Sequence, residues 1–193
     1  MTRLEPATFE ALYRADPDPW SFATSPYEAA KYERTLAALG DRHFARTLEL
    51  GCSIGVLSAG LAARSEELVA IDAAPTAVAA ARQRLAGIAH VDVREATIPE
   101  QLPRARWDLV VASEVLYYFT APLLDESLDV IEADLRPGGV LLAVHWTPPT
   151  ETYPLSGDAV HELLLSRPAL THDHGERHER YRLDRFVRRG PAA

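Results

Sequence analysis

The composition of this 193-residue chain is that of an ordinary globular domain: 47% of its residues are hydrophobic and 25% are charged, enough for one domain with a sizeable core. The formal net charge of −8 argues against binding of long nucleic acid over a broad surface. A single cysteine excludes an internal disulfide framework and fits a reducing compartment.

The sequence also gives no sign of membrane insertion or export. No run of about 18 apolar residues occurs, and the opening stretch "MTRLEPATFEALYRADPDPW" has no apolar signal core. We therefore expect a cytoplasmic protein that does not associate with membranes.

The first forty residues predict two helices separated by a proline-rich loop, "ADPDPWSFATS". The second helix begins at "SPYE", a capping box at Ser25 to Glu28 with proline at the first helical position. Gly40 stands where a glycine commonly follows a helix. We expect residues 1–45 to form a helical lid segment of a single domain whose core occupies residues 46–193.

From Thr47 onward, predicted strands alternate with predicted helices. The strands are "TLEL", "LVAID", "HVDVR", "WDLVVAS" and "VLLAVHW"; the helices cover 56–63, 76–86, 122–135 and 156–166, and "RPGG" breaks the third of them. The polar, alternating tail around Gly175 predicts an antiparallel hairpin. Repeated βα units followed by a hairpin predict a doubly wound, Rossmann-like α/β fold with a mostly parallel seven-stranded sheet.

Polar groups follow all five of these strands, where ligands of such sheets bind. After the successive strands come Glu49 with the loop Gly51-Cys52-Ser53-Ile54-Gly55, then Asp72, then Glu95, Ala96 and Thr97, then Ser113 and Glu114, and finally His145 and Trp146. Because the carboxyl ends of parallel strands meet at one edge of a sheet, we expect these groups to line one ligand site.

The loop in "LELGCSIGVL" is consistent with a nucleotide cradle, a redox site at Cys52, or only a tight turn. Small residues let backbone N–H groups approach a ligand, and Asp72 follows the second strand, where a carboxylate would accept ribose hydroxyls. The pattern G-x-S-x-G fits an NAD fingerprint poorly. Glu49 would repel pyrophosphate but suits an ammonium group, which favours S-adenosylmethionine.

The motifs "LELGCSIGVL", "AIDAAPTAVAAARQRL", "WDLVVASEVLYYF" and "LRPGGVLLAVHW" resemble, in order, those of class I S-adenosylmethionine-dependent methyltransferases from Thr47 to Trp146. Within that superfamily, "FEALYRADPDPWSFATSPYEAAKYERTLAAL" and "SEVLYYF" resemble the nodulation protein S (NodS) family, over most of the chain. The resemblance implies a small N-methyltransferase acting on the amine of a deacetylated chitooligosaccharide. Ser53 replaces the middle glycine of the common loop, and Thr97 stands about where an aspartate often does.

Carried over to this chain, the resemblance implies a set of cofactor-binding residues. Glu49, Gly51, Cys52, Ser53 and Gly55 would form the loop at the methionine end; Asp72 would hold the ribose; Ala73, Glu95, Ala96 and Thr97 would border the adenine; Ser113 would line the floor near the sulfur; Trp20 and Lys31 would cover the cofactor and meet its carboxylate. The product would be S-adenosylhomocysteine.

Methyl transfer to an amine requires a proton acceptor, because the amine must be neutral to attack. Glu114 is the first candidate, followed by His145 and Tyr117. The same pocket could methylate a hydroxyl or carboxyl oxygen of a small molecule. A cofactor-binding partner protein without turnover is the alternative from another class.

Three further features have an alternative reading. Cys52 could be a reactive thiol at a helix N-terminus, but a small filler of a tight loop is the favoured interpretation. His172, Asp173, His174 and His178 have metal-like composition, yet they flank a glycine in a polar hairpin, and we predict no metal site there. The six arginines from Arg177 to Arg189 are interpreted as a solvated strand and tail rather than a phosphate-binding patch.

Overall fold

The computed structural model describes residues 3–190, which form two compact units. One unit is Glu5–Thr97, and the other runs from Ile98 onward and includes Arg3 and Leu4. Among the described residues, no helix is both long enough and apolar enough to span a membrane.

The unit Glu5–Thr97 contains four helices and a three-stranded parallel sheet. Its elements are α1 (Pro6–Ala15), α2 (Pro26–Ala37), β1 (Phe44–Leu50), α3 (Val56–Ala62), β2 (Ser65–Asp72), α4 (Pro75–Arg84) and β3 (Val91–Glu95). The strand order is β3-β2-β1. Leu50 is in register with Ile71, and Asp72 with Glu95, so the three strands end at the same edge.

The second unit contains the remaining strands and helices. Its elements are β4 (Trp107–Ser113), a 3-10 helix (Leu116–Tyr118), α5 (Ala121–Asp134), β5 (Leu135–Trp146), α6 (Gly157–Leu165), β6 (Leu170–Arg177) and β7 (Tyr181–Arg188). The strand order is β4-β5-β7-β6. The pair β4 and β5 is parallel, whereas β7 runs antiparallel to both β5 and β6.

The predicted fold class is confirmed: the sheet has seven strands, is mostly parallel and ends in an antiparallel hairpin. The apolar run in β4 is buried throughout its centre, as expected of a parallel strand covered on both faces. The predicted helix start at "SPYE" is also confirmed, because the Ser25 hydroxyl accepts a hydrogen bond from the Glu28 amide.

Two local predictions need correction. The hairpin turn lies at residues 178–180, and Gly175 is inside β6 opposite Asp184. A Cβ at Gly175 would lie 2.6 Å from Asp184 Oδ1, so this glycine permits a close approach rather than a turn. The "RPGG" stretch follows the end of α5, as predicted, but it already lies within β5, so this strand begins at Leu135 rather than at Val140. The pairing with β4 is irregular there, and Gly138 has a φ of +77°.

Candidate active site

The loop between β1 and α3 has an unusual backbone. Gly51, Ser53 and Gly55 all have left-handed φ angles, of 69°, 52° and 79°. Glycine adopts this region freely, whereas serine is strained there. A Cβ at Gly55 would lie 3.2 Å from the Cα and Cβ of Ala81, so the loop is pressed against α4. The small residues of the motif therefore have a steric cause within the fold as well as a predicted role in binding.

Asp72, the last residue of β2, braces this loop. Its Oδ2 accepts a hydrogen bond from the Ser53 amide at 2.8 Å, and its Oδ1 accepts one from the Ala74 amide at 2.9 Å. Burial raises the pKa of Asp72, and the amide hydrogen bonds oppose that rise. An ionised carboxylate has about four acceptor positions, so two bonds to amides leave capacity for ribose hydroxyls.

Glu49, near the end of β1, is a buried carboxyl with an unsatisfied oxygen. The residue is 2% exposed, and its Oε2 has no hydrogen-bond partner among residues 3–190. Burial raises the pKa of Glu49 to about 8, although the Ser58 hydroxyl opposes the shift. Burying a polar group without a partner is costly, so a hydrogen-bond donor of a bound ligand could lower this cost.

Cys52 fills space beneath the loop. Its side chain belongs to a buried cluster with Ala70, Val78, Ala81 and Leu85, and burial raises the pKa of its thiol well above the usual value. A thiol held in its protonated form is a poor nucleophile. This packing supports the interpretation of Cys52 as a filler, and a ligand contact at this position would come from the backbone.

The helix α1 contacts the loop and α4 through two polar residues that sequence reasoning missed. The Tyr13 hydroxyl donates to Ser53 Oγ at 2.5 Å. The Glu10 carboxylate accepts from the Thr76 amide at 3.0 Å and from its hydroxyl at 2.8 Å. Glu10 and Tyr13 are three residues apart and therefore lie on one face of α1. This spacing is the sequence signal that could have suggested that both contact the same neighbouring elements.

The two cofactor-covering residues predicted near the N-terminus lie in different surroundings. Trp20 is 5.6 Å from the Tyr13 ring and stacks on Phe22, in an apolar cluster that includes Ile54 of the loop. Lys31 is buried and forms an ion pair with Glu28 at 2.8 Å. Contact of Trp20 and Lys31 with a cofactor stays a prediction, and any cofactor carboxylate would compete with Glu28 for the lysine.

The residues predicted to border the adenine follow the ends of β2 and β3. The Ala96 amide donates to the Asp72 carbonyl at 2.9 Å, which keeps the two strand ends together beyond the sheet. Glu95 is exposed, while Ala73 and Thr97 are half-buried. Their contact with adenine also stays a prediction.

In the second unit, Glu114 directly follows Ser113, the half-buried last residue of β4. Glu114 has a left-handed φ of 57°, and strain of this kind in a non-glycine residue is concentrated at functional sites. Its Oε2 accepts hydrogen bonds from the Tyr117 hydroxyl at 2.6 Å and the Trp146 amide at 2.9 Å. The carboxylate is therefore held in a fixed orientation.

Three tyrosines pack beside Glu114. Ring centroids are 4.7 Å apart for Tyr117 and Tyr118, and 4.8 Å for each of them with Tyr153. Burial, together with the charge of Glu114, raises the pKa of Tyr117 well above its usual value. Tyr117 is therefore a hydrogen-bond donor to Glu114, which argues against its predicted role as a proton acceptor. Tyr153, in the loop after β5, was not found from the sequence.

His145, on β5, is fully buried, and both of its ring nitrogens are engaged. Its Nε2 accepts from the Leu116 amide at 3.2 Å, and its Nδ1 is 3.1 Å from His161 Nε2. The prediction that His145 takes a proton from the methyl acceptor conflicts with this geometry, because neither nitrogen is directed to a surface that an acceptor could reach.

Charged side chains of the C-terminal hairpin pair with one another and with α6. His174 and His178 both bond to Glu176, whereas His172 bonds to Asp184. Between residues 3 and 190, no three His, Cys, Asp or Glu side chains are grouped as a metal site would require. The arginines pair within the hairpin and with α6: Arg185 with Asp173, Arg182 with Asp184 and with Glu162 of α6, and Arg177 with Asp158 of α6. This supports the interpretation of a solvated strand.

A mostly parallel sheet with a small-residue loop after its first strand, a carboxylate at the end of its second and a late antiparallel hairpin matches the Rossmann-like fold of methyltransferases. The family model described as nodulation protein S (NodS) matches residues 10–142. The chain belongs to this family, as the sequence motifs predicted.

Individual comparisons agree with this assignment. The chain is 31% identical over 113 residues to Nodulation protein S of Sinorhizobium fredii, which is 57% of this chain and 52% of that protein. It is 32% identical over 113 residues to a Ubiquinone biosynthesis O-methyltransferase of a Bradyrhizobium strain. The matched stretch covers 58% of this chain and 44% of that protein. The crystal structure of N-methyltransferase NodS from Bradyrhizobium japonicum WM9 with S-adenosyl-L-homocysteine superposes with a TM-score of 0.84 at 27% identity, covering 94% of this chain and 98% of that one. The chain spans about half the length of the curated nodulation proteins that it matches.

Proposed function

We propose that this protein is an S-adenosylmethionine-dependent methyltransferase that acts on an amine of a small molecule, such as an amino sugar. The observation that carries the proposal is Glu49: a buried carboxyl with an unsatisfied oxygen, next to a left-handed loop of small residues. A ligand with an ammonium group satisfies this carboxyl, and a pyrophosphate does not.

The residues present fit the cofactor that the family implies. Glu49 would hold the ammonium of its methionine end, the loop amides would contact that end, and Asp72 would accept the ribose hydroxyls; when bound, the cofactor supplies an electrophilic methyl group. Two carboxyls at the ends of β1 and β2 give a site for a cationic, phosphate-free nucleoside. The single buried cysteine and the net charge of −8 support a cytoplasmic enzyme with a small-molecule acceptor rather than long nucleic acid.

Glu114 is the residue proposed to accept the proton of the amine. Tyr117 and the Trp146 amide both donate to Oε2 and so orient the carboxylate toward one direction. Catalysis of methyl transfer is mostly positioning, with nucleophile and methyl carbon held about 3–3.5 Å apart. Glu114 is well suited to this task, because its place directly after a buried strand and its two fixed donors limit its motion.

We expect S-adenosylhomocysteine to raise the melting temperature of the protein and NAD to leave it unchanged. A ligand that binds only the folded state adds about 2.7 kcal/mol to stability at a hundredfold excess over its dissociation constant. Differential scanning fluorimetry with each ligand measures this. Stabilisation by NAD alone would mean that the loop binds pyrophosphate and that the proposed function is wrong.

A second candidate function is methyl transfer to oxygen, which the likeness to a ubiquinone-pathway O-methyltransferase favours. Incubation with cofactor labelled in its methyl group, first with amino sugars and then with phenols, distinguishes the two. Label on phenols alone would assign O-methylation. Tight binding of S-adenosylhomocysteine with no transfer to any acceptor would instead indicate a binding partner without turnover.

We also expect the binding of S-adenosylhomocysteine near neutral pH to release a proton from Glu49. The pKa of this carboxyl is raised to about 8 by burial, so it is mostly protonated at about pH 7, and an adjacent ammonium lowers the pKa again. The affinity should therefore rise with pH up to about 8, by at most about tenfold per pH unit. Calorimetry in two buffers of different ionisation enthalpy measures the released proton directly.

Two controls show whether Glu49 is the source of that proton. Glu49→Gln should bind without proton release and with a flat pH dependence over the same range. 5′-Methylthioadenosine, which has no amino-acid tail, should release no proton from the unaltered protein. Proton release that persists in Glu49→Gln would assign it to another group and remove the ammonium role from Glu49.

A further inference from the structure

A continuous chain of hydrogen bonds crosses the interior of the second unit. The Leu116 amide donates to His145 Nε2 at 3.2 Å, His145 Nδ1 is 3.1 Å from His161 Nε2, and His161 Nδ1 is 2.7 Å from Asp184 Oδ2. The chain joins the 3-10 helix, β5, α6 and β7. Both histidines are completely buried, and Asp184 is 3% exposed.

The ends of this chain permit only one placement of protons. A backbone N–H can only donate, so His145 Nε2 must be unprotonated. The single ring proton of neutral His145 therefore lies on Nδ1. His161 Nε2 must then accept, which puts the His161 proton on Nδ1, where it is donated to the Asp184 carboxylate. An additional proton on either ring would set two N–H groups against each other, at the amide or between the rings, and would break one bond of the chain.

Two glycines permit the elements that carry this chain to approach one another. A Cβ at Gly157, the first residue of α6, would lie 2.2 Å from the Trp146 carbonyl oxygen and 3.2 Å from His145 Cβ. A Cβ at Gly175 would lie 2.6 Å from Asp184 Oδ1 and 2.9 Å from His172 Nε2. The absence of a side chain at Gly157 and Gly175 therefore allows close packing at both the His145 end and the Asp184 end of the hydrogen-bond chain.

The Leu116 end of the hydrogen-bond chain is linked to Glu114, the proposed proton acceptor. Leu116 begins the 3-10 helix that carries Tyr117, and the Tyr117 hydroxyl holds Glu114. The rings of Tyr117 and His145 are also in edge contact, with centroids 5.3 Å apart. Displacement of Leu116 would therefore move the donor that orients Glu114.

We propose that Asp184, His161 and His145 form a positioning relay, which holds the 3-10 helix so that Tyr117 orients Glu114, and that a proton taken up by the relay releases this hold. The assignment of an effect on methyl transfer rests on the proposed function. The relay itself is a property of the fold and is testable without turnover.

Charged and titratable groups on every neighbouring element face the relay. On α6 these are Asp158 and Glu162; on β7, Arg182; on β6, His172 and Arg177; beyond β4, Glu114 with Tyr117 and Tyr118. Burial lowers the pKa of His161 below its usual 6.5, while the hydrogen bond to Asp184 opposes the shift. Burial acts to raise the pKa of Asp184, but hydrogen bonds and charges from His161, Arg182 and His172 lower it overall, so the carboxylate stays ionised as an acceptor.

The direction of the pH effect follows from the lowered pKa of His161. The relay is intact above that pKa and is lost as the pH falls through it. The associated stability is fully present above 6.5, the usual value, and declines as the pH falls from there through the lowered pKa, because the unfolded chain takes up the proton first. Acid therefore weakens both the relay and the folded state.

Nuclear magnetic resonance of the full-length protein with ¹⁵N-labelled histidine tests the relay directly. At about pH 8 we expect both His145 and His161 as neutral Nδ1–H tautomers with slowly exchanging ring protons. On titration to about pH 5, these two signals and the Leu116 amide signal should change together. An Nε2–H tautomer at His145, or protonation of His161 that leaves the Leu116 amide signal unchanged, would overturn the proposal.

Substitutions then connect the relay to function. In His161→Gln we expect the turnover number to fall by up to roughly 100-fold, the range for a small misplacement of a catalytic group, with the affinity for S-adenosylhomocysteine unchanged. The acid limb of its pH profile should shift relative to the unaltered protein. The control His174→Gln, on exposed β6 and outside the relay, should change none of these. An unshifted pH profile in a folded His161→Gln would overturn the role in positioning.

The two proposals fail in different ways. If no acceptor is ever methylated but the tautomers and the coupled titration are found, the relay stands and the proposed function is wrong. If methyl transfer occurs and the tautomers are absent, the relay is wrong and the proposed function stands.

Discussion

Replacing Glu114 with glutamine is expected to lower the turnover number by roughly 10²–10⁴-fold, the usual contribution of a positioned proton acceptor, while the affinity for S-adenosylhomocysteine is retained. Glutamine preserves the shape of the side chain and can still accept from Tyr117 and the Trp146 amide. It cannot take up the proton of an amine. Steady-state kinetics with the identified acceptor, beside a melting curve, measures the effect.

Two matched variants separate the possible roles of Glu114. Glu126→Gln, at an exposed position on α5, controls for the loss of one negative charge and should leave turnover unchanged. Tyr117→Phe removes the hydroxyl that orients the carboxylate and should lower turnover less than Glu114→Gln does. If Glu114→Gln raises only the Michaelis constant, Glu114 orients the acceptor and another group takes the proton.

The second large effect is expected at Asp72. In Asp72→Ala, the ribose hydroxyls would lose the charged acceptor proposed for them, at about 1.5–3 kcal/mol for each such bond. The Ser53 amide also loses its partner, so the loop loses its brace. Calorimetry with S-adenosylhomocysteine should show a loss of affinity of at least tenfold, while the melting curve shows a folded protein.

Asp72→Asn and Asp92→Asn sharpen this test. In Asp72→Asn the side chain would keep one oxygen for an amide but present an NH₂ group to the other, so affinity should fall here as well. Asp92 is exposed on β3 and paired with Arg94, and its change to asparagine should have no effect on binding. Unchanged affinity in a folded Asp72→Ala would mean that the ribose is held elsewhere.

The sequence was a good guide to features that depend on neighbouring residues. The helix start at Ser25 and the buried strand Trp107–Ser113 follow from a capping box and from an apolar run, and both signals act over a few positions. The prediction that Glu49 lies in the candidate site was possible because it precedes a recognisable loop. Its burial and raised pKa depend on packing that the sequence does not display.

Long-range pairs were not predictable in the same way. Tyr13 meets Ser53 across 40 positions, and His161 meets Asp184 across 23. The residues around Tyr13 and around His161 in the sequence give no indication of these distant partners. His145 was misread for the same reason, because its position at a strand end suggested a ligand contact, whereas α6 covers it and engages its Nδ1. Gly175 was misread as a turn since a glycine required by a distant carboxylate looks the same in sequence as one required by a bend.

The pairing of Tyr13 with Ser53 couples the two positions in their effect on the loop. Glycine at position 53 would relieve the left-handed strain of serine but would remove the oxygen that receives the Tyr13 hydroxyl. The relief of strain and the lost hydrogen bond therefore act in opposite directions on stability. Glycine at position 53 is therefore expected to be tolerated best in a chain that also lacks the Tyr13 hydroxyl.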